Sequence, residues 1–271
     1  MGYRILASSA LLGITILLCI FVSQGNGAEL KPIAGIAAFG GAERGHGDEA
    51  HGIGGTQLLG LVPLTQQFGL QGSTSFTGGS GFRFGLSAGP VLNLASSRAG
   101  LFVDYEHRAH GDANLVAVRG SWAYYLNQFD LEATYSHPIS SAHRSGGVSQ
   151  VGMNQLQGLL RFYPTKEVEL NAGLLVNSFA GVDHSKGGGS GVGGVFGLSF
   201  KLFDPVVVHL VQGHFDNRER YRVVSGIQLI FGSSLQDWQR SHIPTPIGGG
   251  GGAVKVSKSP RAPAAPPPIG P

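Results

Sequence analysis

The chain has 271 residues, 45 of them glycine, with 13% charged side chains and a formal net charge of +3. Low charge points to burial, yet past the N-terminus no continuous apolar run approaches the ~20 residues a membrane helix needs, so a helical transmembrane bundle is excluded. The basic excess is small and partly confined to Arg240, Lys255, Lys258 and Arg261; without a basic surface interleaved with aromatics, nucleic-acid binding is not expected.

The first 27 residues read as an export signal. Arg4 supplies a positive start, Leu11 to Val22 an apolar stretch, and Gly25 and Gly27 a small-residue cleavage site before Ala28. The run is short for a retained anchor. Cys19, the single cysteine, follows Leu17 and Leu18 inside that stretch, so the processed chain is expected to contain neither disulfides nor thiol ligands.

Residues 28–232 break into segments of period-two alternation. Phe82, Phe84, Leu86 and Ala88 alternate with Arg83, Gly85, Ser87 and Gly89. Phe129, Leu131, Ala133 and Tyr135 alternate with Asp130, Glu132, Thr134 and Ser136. Val168, Leu170, Ala172, Leu174 and Val176 oppose Glu169, Asn171, Gly173, Leu175 and Asn177. Successive strand side chains point to opposite faces, so each segment has one apolar and one more polar surface. Twelve strands are predicted, beginning near residues 32, 55, 67, 81, 98, 114, 129, 154, 167, 192, 205 and 221, within a range of ten to fourteen. Short links (Gln66-Gln67, Leu94 to Ser97, Asn127-Gln128, Pro164 to Lys166, Asp204-Pro205) alternate mostly with longer Gly- and His-rich ones (Arg44 to Gly54, His107 to Ala113, Pro138 to Met153, Gly181 to Gly191). This is the layout of an all-β, antiparallel, up-and-down transmembrane barrel with periplasmic turns and external loops. An even strand count would leave both termini periplasmic.

Aromatics cluster at both strand ends, as membrane–water girdles do. Phe68, Trp122, Tyr124, Tyr125, Phe129, Phe162, Tyr163, Phe200, Phe203 and Phe231 lie by the short turns. Phe39, Phe76, Phe82, Tyr105, Tyr135, Phe179, Phe196, Phe215 and Tyr221 lie at the other end. A soluble sandwich would place more of them mid-strand. The export signal, the Gly-rich alternating strands and the closing Ile227-Gln228-Leu229-Ile230-Phe231 together resemble Gram-negative outer-membrane β-barrel proteins, over about three-quarters of the chain. The resemblance implies residence in outer-membrane lipid and recognition of the last strand by the barrel-assembly machinery. In that class the aromatic usually ends the chain, whereas forty residues follow Phe231 here. Residues 233–271, with Gly248 to Gly252 and Pro266 to Pro268, read as a disordered Gly/Pro-rich periplasmic tail. Its Lys255, Lys258 and Arg261 offer contacts to peptidoglycan or a periplasmic protein.

If the apolar face meets lipid, alternation turns Arg83, Asp104, Glu106, Arg119, Asp130, Glu132, Arg161, Glu169, Lys201 and Arg222 into the lumen. A charge facing mid-membrane lipid would cost roughly 2–4 kcal/mol. Five basic and five acidic residues give a balanced interior. The leading expectation is a narrow, weakly selective pore for small solutes or ions; paired charges bridging the lumen would instead make a closed structural or surface-interaction barrel. Eight of the ten histidines sit in or beside presumed external loops, with His46, His51, His107 and His110 near carboxylates as weak metal candidates. Their spacing matches no recognised motif, and no cofactor is expected. A Ser/His hydrolase is a lesser alternative: His143-Arg144-Ser145 has the spacing of the outer-membrane phospholipase pattern, but Gly146 follows where that pattern has Asn, and the segment sits in a loop without an orienting third group. The Gly187 to Gly189 run is not followed by Lys-Ser/Thr, so phosphate binding is rejected.

Overall fold

The computed structural model describes residues 30–44, 49–79, 81–109, 113–139, 150–179, 191–217, 220–231, 233–243 and 253–255. Twelve antiparallel strands follow in chain order: β1 (Ile33–Arg44), β2 (His51–Pro63), β3 (Phe68–Gly78), β4 (Arg83–Asn93), β5 (Ser97–Arg108), β6 (Ala113–Tyr125), β7 (Phe129–Pro138), β8 (Gln150–Thr165), β9 (Val168–Phe179), β10 (Gly191–Phe203), β11 (Val206–Asp216) and β12 (Tyr221–Leu229). Each pairs with its sequence neighbours, and β1 pairs with β12 from Ile36↔Leu229 to Arg44↔Tyr221, which closes the barrel. Closure leaves no edge strand, so the wall's backbone groups are satisfied within the ring. The strands begin within four residues of the positions read from the sequence; β2 and β8 start earliest relative to them. The expected signal at 1–27 lies outside the described residues.

Local chemistry sets the short turns. Thr65 Oγ1 accepts from the backbone N–H of Gln67 (3.2 Å) and Phe68 (2.9 Å), while Leu126 N–H donates to Phe129 O across 2.7 Å. These side-chain and backbone bonds reverse the chain within a few residues.

The wall segregates sharply. Leu58, Leu70, Leu101, Leu131, Leu174 and Leu210 point outward and are exposed. Among the described strand residues, the outward set carries a single Asp, Glu, Lys or Arg, Arg44 at the long-loop end of β1. Outward aromatics meet across strands at both rims: Phe129 stacks on Phe162 at 4.9 Å by the short turns, and Phe76 meets Phe84 at 5.2 Å by the long loops. Such offset pairs add stability beyond the area they bury. Among the girdle aromatics whose side chains are described, Phe39, Tyr125 and Tyr163 face inward instead. The doublets Tyr124-Tyr125 and Phe162-Tyr163 must split, because neighbouring strand residues take opposite faces.

Inward glycines allow the tight wall. A Cβ on Gly89 would sit 1.9 Å from Leu101 O, and one on Gly193 1.9 Å from Phe215 O, so these positions have no room for a side chain as the strands close on one another.

Residues 233–243 do not continue as a tail. Ser234 caps a helix, α1 (Leu235–Arg240): its hydroxyl oxygen accepts from Asp237 N–H and its hydroxyl donates to the Asp237 carboxylate. Leu235, Trp238, His242 and Ile243 are buried against the inner wall. The flexible region expected from 233 therefore begins after this segment at the earliest. The reason is apolar content: Leu235, Trp238 and Ile243 bury enough surface to offset ordering, which the Gly/Pro composition farther on does not offer. A short strand, β13 (Ala253–Lys255), pairs with Gln150–Gly152 at the long-loop end of β8.

Candidate functional site

All ten sequence-assigned interior residues lie on the inward face. They form three tiers with additional charges that the sequence reading omitted. Near the short turns, Arg161 donates to Glu132 at 2.7 and 3.2 Å and to Glu169 at 2.5 Å. Its strand, β8, lies between β7 and β9, so one guanidinium ties three adjacent strands. Lys201 pairs with Asp204 at 3.2 Å. At mid-height Arg119 holds Asp104 with two bonds of 2.8 and 3.2 Å, reaches Ser87 at 2.9 Å and lies 4.3 Å above the Phe102 ring. At the long-loop end Glu43 pairs with Arg83 and with His51 (3.0 Å), Glu106 pairs with Arg108, and Arg222 stands over Phe39.

Most of these pairs join neighbouring strands and run along the wall. Arg119–Asp104 spans β6 and β5, and Arg161 reaches only its two flanking strands. Glu43–Arg83 is the widest among the described residues, from β1 to β4. Arg161, Arg119 and Asp130 each meet an opposite charge and further hydrogen bonds, which is the condition for holding ions in a low-dielectric interior.

Arg98, Arg108, Glu43 and Asp216 are interior charges that sequence reading missed in the strands. The signal was present: Arg98 and Arg108 share parity with Asp104 and Glu106, and Arg98 donates to Asn93 Oδ1 at 2.9 and 3.2 Å. Leu159 shares the inward face with Arg161 and is buried, so the inner surface of β8 mixes an apolar and a charged side chain.

The short-turn mouth is crossed by the C-terminal segment. Lys201 of β10 donates to Ser233 O at 2.5 Å. Leu235 N–H donates to Glu167 Oε2 at 3.3 Å, and Gln236 Nε2 to Asn127 O at 2.8 Å. Trp238 fits among Val207, Ile230 and Leu235, with Ile33 and Leu59 packed alongside. Arg240 reaches Asp130 of β7 through Nε at 2.9 Å and Nη2 at 2.7 Å, and its guanidinium lies 5.5 Å from the Tyr125 ring and 5.9 Å from the Tyr163 ring. The two inward tyrosines and the carboxylate together form a receptor for one arginine. Ile243 ends the segment in a cluster with Leu30, Leu61, Val91 and Phe102, where its backbone N–H and carbonyl bond the Gln71 side chain at 2.8 and 2.7 Å. His242 Nδ1–H donates to Trp238 O at 2.9 Å; burial, with the Arg98 cation next, pushes its pKa down to about 3. A sequence signal for this segment also existed: Ser234-x-x-Asp237 with Leu235 and Trp238 is a capped helix start.

The metal candidates are not gathered. His51 faces inward against Glu43, while His107 faces outward and bonds Asn114 at 3.0 Å. His46 and His110 lie outside the described residues, and among the described residues no cluster of three or more His, Cys, Asp or Glu could hold a metal. His143 and Ser145 also fall outside. Within the barrel wall Ser199 contacts His209 at 2.8 Å, with both residues buried. Gln212 bonds the same Nδ1 and Gln228 accepts from Nε2 at 2.9 Å, so an amide rather than a carboxylate orients the ring. This arrangement is a buried polar network that stiffens the wall of β10 to β12.

No sequence-family model and no curated protein sequence matches the chain. Solved structures do. An outer-membrane channel from Pseudomonas putida F1 is similar with a TM-score of 0.55 at 14% identity, covering 78% of this chain and 100% of its own. The NanC porin is similar with a TM-score of 0.54 at 8% identity, covering 73% of this chain and 99% of its own. The KdgM porin gives 0.50 at 13% identity, over 73% and 99% respectively. At these identities the likeness is one of fold: the chain is a closed twelve-stranded antiparallel barrel of the kind seen in outer-membrane porins and channels.

Proposed function

We propose that the protein is an outer-membrane barrel forming a narrow pore for small solutes or ions. The observation that carries this reading is the segregation of the wall, with an outward surface apolar between its aromatic rims and an inward surface that holds ten assigned charges. Strands of nine to sixteen residues suit the thickness of a bilayer crossed at a tilt. Wall-hugging ion pairs support a lumen over a closed core, because they hold charge at the perimeter. Near-balanced interior charge supports weak ion selectivity. Planar-bilayer recording of the purified, folded barrel tests the reading: stepwise conductance is expected, and a barrel silent under all conditions removes it.

A closed structural barrel is the second reading. The segment 233–243 across the short-turn mouth favours it, and a hydrolase has no comparable support in the described geometry. Ile33 and Leu229 both lie at the short-turn rim, which supports periplasmic ends for the barrel proper. Recognition of the Ile227-to-Phe231 segment by the assembly machinery, and contact of the tail with peptidoglycan, are further parts of the proposal. β13, at the long-loop end of β8, favours the opposite side for the far tail. Protease shaving of a C-terminal epitope on intact cells distinguishes the two: cleavage places the tail outside, protection inside.

A further inference from the structure

We propose that residues 233–243 are a resident plug whose docking sets whether the barrel conducts. The inference rests on the channel reading and adds to it a gate built from the chain itself.

The segment is anchored on separate sides of the ring. Ser233 is held by β10, Arg240 by β7 and Ile243 by β3, which around a closed ring of twelve leaves intervals of three, four and five strands. A chain fastened at three such points lies across the lumen and not along one wall. The seat is shaped for it. A Cβ on Gly35 would stand 2.7 Å from the Trp238 ring, so only glycine admits that ring flush against β1. A Cβ on Gly100 would come within 3.1 Å of Ile243. Tyr125 and Tyr163, the inner members of two aromatic doublets, are spent on Arg240.

The plug is also separable. The barrel ladder closes between β1 and β12 without it, and α1 follows the last strand through a short link at the rim. Undocking therefore breaks no pairing among the twelve strands of the ring and leaves the wall intact. The result is a two-state element: a segment either seated in the mouth or swung into the periplasm, with an unchanged barrel in both cases.

The test compares single-channel records of the processed full-length chain, a chain ending after Phe231, and an Asp130→Cys/Arg240→Cys pair joined by a short bis-methanethiosulfonate linker. The only native cysteine, Cys19, lies in the expected leader and does not interfere. Folding of each protein is verified by heat-modifiable migration. Truncation is expected to raise the open time at least tenfold, and the linked pair to stay closed until dithiothreitol releases it. Equal open times for the folded full-length and truncated chains would overturn the plug while leaving the channel reading intact. Silence from both folded chains would sink the channel reading and the plug with it. Should the truncated chain fail to fold, the linked pair decides alone: conduction unchanged by the linker rejects the gate.

Discussion

Replacing Arg240 by alanine is expected to free the C-terminal segment from the mouth. Asp130 is 1% exposed and receives Arg240 at 2.9 and 2.7 Å, while Nη2 also donates to Asn127 O at 3.1 Å. Removing one partner of a buried ion pair costs about 3–5 kcal/mol, because the other charge stays buried. Two features lower that figure here. Arg161 is the cross-strand neighbour of Asp130, and the Arg240 side chain retains 24% exposure. A cost of about 2–3 kcal/mol follows, which shifts docking by roughly 30- to 150-fold. Trp238 reports the change, since it is 3% exposed when seated and the chain has only one other tryptophan. In a Trp122→Phe background, iodide quenching of Trp238 should rise and its emission should shift to the red. Arg240→Lys keeps the charge and loses the forked geometry, so it should fall between parent and alanine. A folded Arg240→Ala barrel with parental quenching and emission would refute this account of what holds the segment.

Three further outcomes follow from the same structure. Because the pKa of His242 is about 3 when docked, below that of a free imidazole, the docked state binds fewer protons between about pH 3 and 6.5. Docking is therefore strongest above that window and weakens as pH falls, by about thirtyfold between pH 7.5 and 5; Trp238 quenching that stays flat over this range contradicts it. Arg161→Met strands Glu132 and Glu169 inside the wall and should destabilise the barrel by about 3–5 kcal/mol in vesicle urea titrations, with Glu132→Gln and Glu169→Gln recovering much of the loss. Leu174→Arg, on the exposed face of β9, should cost about 2–4 kcal/mol in the same titration, and a neutral result would argue against a lipid-facing wall.

The wall was legible because its information is local. Alternation in segments such as Phe129 to Ser136 assigns inside and outside one residue at a time, and on the proposed lipid-facing reading hydrocarbon on one side punishes any slip that exposes Asp130 or Glu132. Turn chemistry at Thr65 and elsewhere then sets the order of strands. The same parity would have added Arg98 and Arg108 to the interior and moved Tyr125 and Tyr163 off the girdles.

The mouth is different. Ser234-x-x-Asp237 states that a short helix can start there, but six residues carry no preference for where to dock. That Arg240 meets Asp130, 110 positions earlier, and that Gln71 meets Ile243, 172 positions later, depends on a ring that exists only once β1 has found β12. Strand alternation thus determined the barrel from sequence alone. Ring closure, which brings distant residues across one lumen, decided the partners of its last ordered segment.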